Sequence, residues 1–230
     1  MTVPAVDAIA VRRVRWKAAC RIVPTRYPSI YLFDRVAAAE DFDALYALEA
    51  LTNDRLRDEL GEIALVPPKD RIFGPGSGPI MASFTHLNPN GSRFGDGRRG
   101  VFYAAGDRKT AVAETCHHHA AFLRATRQAA AHFPMRLYHV RIDAELHDLR
   151  GGGTAFADVM APDSYVASRA LAAQLRAAGS AGVAYDSVRH PPGQCVGLFT
   201  PRGARDCLHA AYLLYAWDGA RFTDVFEQMR

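Results

Sequence analysis

Gly91-Ser92-Arg93-Phe94-Gly95-Asp96-Gly97, then Gly100-Val101-Phe102-Tyr103-Ala104-Ala105, then Ala111-Val112-Ala113-Glu114-Thr115, is the stretch that decides how this chain is read. It spells a glycine-rich loop with one arginine, a short strand bearing a tyrosine, and a helix bearing a glutamate. Glycines let backbone N–H groups come close to a ligand. A guanidinium grips a phosphate through two parallel hydrogen bonds. Asp107 is a good N-cap for the helix, whose first turn favours an anion. Glu114 stands beside Ala111, Val112 and Ala113, and a carboxylate in an apolar segment needs a partner or a purpose. Each residue also has a structural reading: Arg93 paired with Asp96, Tyr103 as a core tyrosine with a satisfied hydroxyl, Glu114 as a helix carboxylate with a structural partner.

The flanking sequence predicts a mixture of helices and short strands without a regular βαβ rhythm, which favours an α+β fold. Residues up to about Ile22 read as an arm or first helix, and Pro24 and Pro28 then force an extended or turning path. Asp41 to Leu60 reads as a helix with Phe42, Leu45, Leu48 and Leu51 on one side and Gly61 at its end. From Val66 to Gly100 the chain is punctuated by Gly and Pro, with one strand expected at Ile80 to Thr85. Its aromatic residues mark it as ordered, irregular backbone of the kind that builds sites. A strand at Val101 to Ala105 precedes the helix from Asp107 to about Ala131, and another strand covers Arg136 to Ile142. Asp163 caps a helix from Ser164 to Ala178, closed by Gly179. Strands at Gly182 to Val188 and Cys195 to Thr200 are joined by a turn at Pro191-Pro192-Gly193. A closing hairpin pairs Ala211 to Trp217 with Arg221 to Phe226 around Asp218-Gly219.

With 230 residues, 49% hydrophobic and 23% charged, the chain has ordinary globular composition and enough length for one domain. No apolar run approaches the roughly 18 residues that span a bilayer. Ala5 to Ala10 is too short for the apolar core of a signal peptide, so the cytoplasm is the expected compartment. Cys20, Cys116, Cys195 and Cys207 are scattered, which argues against a zinc ribbon or disulfide scaffold. The net charge of +4 does not mark a nucleic-acid binder. Six basic residues and no acid lie between Arg12 and Arg26, read as a solvated face or as a contact with a partner.

Other chemistries fit less well. GxxxxGK[ST] and a strand–GxGxxG–helix unit are both absent. His117, His118 and His119 are consecutive and cannot share one helix face. Glu114 with His117 forms a single E-x-x-H pair, where a di-iron bundle needs two. No metal is therefore expected. Ser187, in Tyr185-Asp186-Ser187-Val188-Arg189-His190, has no G-x-S-x-G elbow around it, so a serine hydrolase is disfavoured.

Taken together, Gly91-Ser92-Arg93-Phe94, Tyr103, Ala111-Val112-Ala113-Glu114 and Ser187 resemble the RES domain, named for an arginine, a glutamate and a serine. The resemblance covers about residues 80–201, and Cys195-Val196-Gly197-Leu198-Phe199 is similar to the family's closing strands. Looser similarity at Arg21 to Phe33 sets a boundary, with a basic arm or helix over 1–20 and one RES domain over 21–230. Two departures stand out: Gly95 replaces an Asn common after the aromatic residue, and an unusually long stretch separates Arg21 and Arg26 from the core turn.

The resemblance implies a single α+β domain like the ADP-ribosyltransferase fold, with short strands in a split central sheet flanked by helices. It further implies a bacterial toxin, acting on NAD⁺ as substrate without a metal, and restrained by a helix-turn-helix antitoxin of Xre type. In that scheme Arg93 holds the NAD⁺ diphosphate with Ser187 as a second polar contact, and Arg21 or Arg26 supplies an early basic residue. Tyr103 packs against nicotinamide or its ribose, and Glu114 binds the ribose hydroxyls and stabilises charge as nicotinamide leaves. Similar enzymes that modify arginine carry an E-x-E pair. Val112 occupies the first of those positions here, which favours water or phosphate over a protein as acceptor of ADP-ribose. A nucleic-acid-binding or ribonuclease-like toxin, using Trp16 and Tyr27 near the basic run, is the alternative from another class.

Overall fold

A computed structural model describes residues 3–27 and 61–228. The helix expected over Asp41 to Leu60 lies outside them. Seven strands are present among the described residues: β1 (Val11–Pro24), β2 (Phe102–Ala105), β3 (Ala131–Asp148), β4 (Gly182–Asp186), β5 (Gln194–Leu198), β6 (Ala204–Trp217) and β7 (Phe222–Glu227). Three α-helices accompany them: α1 (Gly78–Thr85), α2 (Arg108–Ala125) and α3 (Val166–Ala177). No described helix is long and apolar enough to cross a membrane.

The strands form one sheet in the order β1-β2-β5-β4-β3-β6-β7, with β1 also paired to β3. The ladder is uneven. β1, β3, β6 and β7 make a long antiparallel part, and β2, β5 and β4 a short one. The two parts meet only at Cys20↔Ala105 and at His147↔Val183 with Asp148↔Ala184. The sheet is thus α+β and divided in two as expected, although β1 and β3 are longer than the short strands anticipated.

Both faces are covered. Ile80, Met81 and Phe84 of α1 pack with Val14, Phe102, Val140 and Leu198 in one core. Ala111 of α2 and Leu171 and Leu175 of α3 pack with Phe94, Val183, Tyr185 and Tyr215 in the other.

Several local expectations need correction. Residues 11–20 are neither arm nor helix but part of β1, paired with β3 from Val11↔His147 to Pro24↔Met135. The ladder shifts between Trp16 and Ala19, so Val14 and Ala19 face one core while Cys20 and Ile22 face the other. This bulge destroys the period-2 pattern that would announce a strand. The segment expected as a strand at Ile80 to Thr85 is helix α1. Pro79 sits in its first turn, where a missing N–H costs nothing, and Ile80, Met81 and Phe84 are buried at helical spacing. α2 stops at Ala125 rather than Ala131, with Arg127 in a left-handed conformation (φ 50°) just beyond. α3 begins at Val166, and no side chain caps it; Gly179 follows with φ +77°.

Phe102 is fully buried at the join between the two parts of the sheet, under the Arg21 guanidinium. Phe102→Ala is expected to lower unfolding stability by about 3–5 kcal/mol in urea titrations. Phe226→Ala, at an exposed position of β7, should change it by less than about 0.5 kcal/mol.

Candidate active site

Glu114 lies two turns into α2, whose start is fixed by Asp107: Asp107 Oδ1 accepts from the Thr110 N–H at 2.9 Å. Facing it, at the end of β4, is buried Ser187, whose Oγ donates to Glu114 Oε1 at 2.7 Å. Ser187 Oγ also accepts from the N–H groups of Arg189 (3.1 Å) and His190 (3.0 Å). A hydroxyl has one proton and two lone pairs. Here both lone pairs are filled, so the one proton is directed at Glu114. This leaves Ser187 as an orienting group for Glu114 and not as a free donor to a ligand or a nucleophile.

The second carboxylate oxygen, Oε2, is 3.8 Å from His118 Nε2. The helical neighbour of Glu114 is therefore His118, four positions on, and not His117 of the E-x-x-H spacing. Desolvation, then His117, Arg189 and Arg93, hold His118 down at about 4, so it is neutral around pH 7. His119 is likewise held at about 4, by burial and then Arg26 and His118. Among the described residues no group of three His, Cys, Asp or Glu side chains is arranged to hold a metal ion.

Arg93 is 7% exposed. Its Nη1 donates to the carbonyls of Val159 (3.3 Å) and Ala161 (2.9 Å), and its guanidinium lies 4.7 Å from the centre of the Tyr165 ring. The pairing with Asp96 does not form; Asp96 instead accepts from the Arg98 N–H. The positive field of Arg93 is felt at His118, Tyr103 and Tyr185, and Tyr185 also feels Glu114. Arg93 and Glu114 thus border one region. Tyr165, which the sequence reading did not single out, is the platform under Arg93. Nothing in its local sequence marks it, because its role comes from a contact with a residue far along the chain.

Tyr103 anchors the glycine-rich turn. Its hydroxyl accepts from the Phe94 N–H at 2.9 Å and pairs with Ser92 Oγ at 2.8 Å. Arg169 holds the same turn through the carbonyls of Ser92 and Asn90. Gly91 has φ +70°, and a Cβ there would meet Gly95 O at 2.4 Å, so the turn is closed tightly enough to demand glycine. Burial, opposed by these hydrogen bonds, pushes the Tyr103 phenol up to about 12.

The two early basic candidates reach different places. Arg21 crosses from β1 to donate to Tyr103 O (3.0 Å) and Ser83 Oγ (2.8 Å), leaving its buried Nε without a hydrogen-bond partner. It borders a cavity of about 250 Å³ shared with Gly91, Ser92 and Tyr103. Arg26 stacks on Tyr27 and approaches Phe122. It borders a cavity of about 670 Å³ shared with Tyr103, His118 and His119, a size typical of small-molecule sites. Tyr103 and Asn88 line both.

Three other arginines of the basic run are paired on the sheet surface: Arg13 and Arg15 with Asp143, and Arg12 with Asp148. Trp16 packs against the core.

Comparison with known proteins then places the chain. The RES domain pattern matches residues 70–218, and the chain belongs to the RES-domain family. A protein of Sinorhizobium fredii, described as uncharacterized protein y4oC, is 26% identical over 213 residues, covering 90% of this chain and 85% of its own. Among solved structures, a chain of the M. tuberculosis MbcT–MbcA toxin–antitoxin complex superposes with a TM-score of 0.48 at 13% identity, covering 97% of this chain and 89% of that one.

Two outcomes check this geometry. Tyr103→Phe leaves the buried Phe94 N–H without its acceptor, and should cost about 1–3 kcal/mol of unfolding stability. The depressed His119 sets a pH dependence. Its folded value of about 4 lies below the ordinary 6.5, so the unfolded state takes up the proton first as pH falls. Thermal unfolding should shift to lower temperature as pH falls from about 6.5 towards 4, and His119→Gln should flatten part of that slope.

Proposed function

We propose that this chain cleaves NAD⁺ at the nicotinamide–ribose bond, with water or phosphate as acceptor. In this reading it is a toxin that depletes NAD⁺ in the cytoplasm and is restrained by a helix-turn-helix antitoxin of Xre type. The observation that carries the catalytic part is the Ser187–Glu114 hydrogen bond. A partly buried carboxylate held in place before the reaction begins needs no reorganisation as positive charge develops. Membership of the RES family supports the substrate and the toxin role, as the resemblance implies.

When the C1′–N bond breaks, the electron pair leaves with nicotinamide and the ribose becomes oxocarbenium-like. Glu114 stabilises that charge and holds the ribose hydroxyls. Water, or a phosphate oxygen, then bonds to C1′, and the attacking water gives up a proton. Nε and Nη2 of Arg93 have no protein partner among the described residues and suit the diphosphate, with Arg21 or Arg26 adding charge. Tyr103, protonated up to about pH 12, offers its ring to nicotinamide or ribose.

Transfer of ADP-ribose to a protein is the second reading. Against it, Val112 packs towards the core and presents no second carboxylate to an arginine acceptor. Against a nucleic-acid role, Arg12, Arg13 and Arg15 are each paired with an aspartate and Trp16 is partly buried against the core, which leaves less of the basic run free for phosphates and bases.

Purified protein incubated with NAD⁺, with and without phosphate, should release free nicotinamide measurable by chromatography. Glu114→Gln is expected to lose on the order of 10²–10³ in turnover. Ser187→Ala, which frees Glu114 to rotate, should lose about tenfold. A folded Glu114→Gln protein with near-normal turnover would remove Glu114 from the chemistry.

A further inference from the structure

The loop that carries Ser187 touches α2 a second time, one turn before Glu114. Thr110 and Glu114 are four residues apart and project from the same helix face. Thr110, fully buried, donates its hydroxyl proton to Asp107 Oδ2 at 2.6 Å. Although desolvation opposes it, hydrogen bonds from Thr110 hold the Asp107 carboxyl below its ordinary range, so at neutral pH this carboxylate is an acceptor only. The proton of Thr110 is therefore committed. His190 Nδ1, 3.1 Å from Thr110 Oγ1, must then be the donor of that contact. The backbone N–H of the same His190 donates to Ser187 Oγ, so one residue binds both Thr110 and the serine that orients Glu114.

The loop is also closed on itself. Ser187 N–H donates to Gly193 O at 2.8 Å and Gly193 N–H to His190 O at 2.7 Å. A Cβ at Gly193 would lie 2.0 Å from Thr110 Oγ1, so the loop rests directly on the threonine.

We propose that Thr110 and His190 are positioning residues: their contact is a clasp that seats the 187–193 loop on α2 and sets the distance between Ser187 and Glu114. This rests on the reading of Glu114 given above. Neither residue touches the reacting bond. The clasp works because two contacts on successive turns fix both the position and the tilt of the loop, where the Ser187–Glu114 bond alone fixes only one point.

Residue-resolved amide exchange, read by NMR on the full chain without NAD⁺, tests the clasp apart from any activity. In Thr110→Val the amide of Thr110 still caps onto Asp107, but the hydroxyl is gone. Exchange at Arg189 and His190 should then be about tenfold faster, with exchange at Leu137 and Val140 in β3 unchanged. Thr110→Ser, which keeps the hydroxyl, should restore the wild-type pattern. For nicotinamide release, Thr110→Val should lower kcat about tenfold with KM within about twofold, since the clasp orients a group and does not bind substrate. Unchanged exchange at Arg189 and His190 overturns the clasp whatever turnover does. Faster exchange with unchanged kcat overturns the positioning role. If the wild-type protein releases no nicotinamide, the NAD⁺ reading fails by itself, and the exchange pattern alone decides the clasp. Should Thr110→Val not fold, His190→Ala removes the same contact from the loop side and carries the same expectations.

Discussion

One hydroxyl proton, that of Ser187, is the constraint around which the candidate site is built. Leaving a carboxylate half-removed from water without a partner costs several times what an ordinary hydrogen bond contributes. Glu114 has a side-chain exposure of 20%, so its partner must be in place whenever the chain is folded. That requirement reaches outward. The end of β4 has to meet the second turn of α2, and α2 has to begin at Asp107. Two backbone N–H groups of the following loop have to occupy the serine lone pairs. The positions of β4, α2 and the 187–193 loop are thereby tied to one another through a single side chain.

The layering of the fold accounts for the surroundings of that bond. α2 and α3 cover one face of the sheet and α1 the other, so Glu114, Ser187, Arg93 and Tyr165 gather on the two-helix side. Arg21 comes from a strand whose side chains serve both cores and reaches across the sparse join between the two parts of the sheet. A sheet with fully paired strands would have no room for a guanidinium there. The weakness of the join is what lets a part-buried arginine approach the glycine-rich turn.

How much of this was legible in the sequence follows from the range of the interactions. The Asp107 cap, the position of Glu114 on its helix and the closing hairpin depend on neighbours within a few residues, and all are read from local chemistry. The Ser187–Glu114 contact joins residues 73 apart, so composition and spacing say nothing of it; Ser187 entered the candidate set through the family resemblance. Tyr165 and the Thr110–His190 contact stayed hidden for the same reason. α1 was misread because eight residues show too little of a 3.6-residue period to be told from a strand. β1 was misread because its bulge moves the apolar residues from one face to the other in mid-strand. The choice between Arg21 and Arg26 has no local signal at all, since each borders a different cavity beside Tyr103.

The pairing of β1 with β3 has a consequence for how the chain is made. The partner of Val11 is His147 and that of Pro24 is Met135, so during synthesis the first strand waits for well over a hundred later residues. At a ribosomal rate of about 5–20 residues per second that wait lasts many seconds, during which its backbone is an open edge able to recruit other chains. Arg12, Arg13, Arg15 and Lys17 stand along that edge with no acid between them. Until Asp143 and Asp148 emerge to pair with the arginines, like-charged strands from neighbouring nascent chains repel one another. The basic stretch of β1 thus has work to do before the protein is folded.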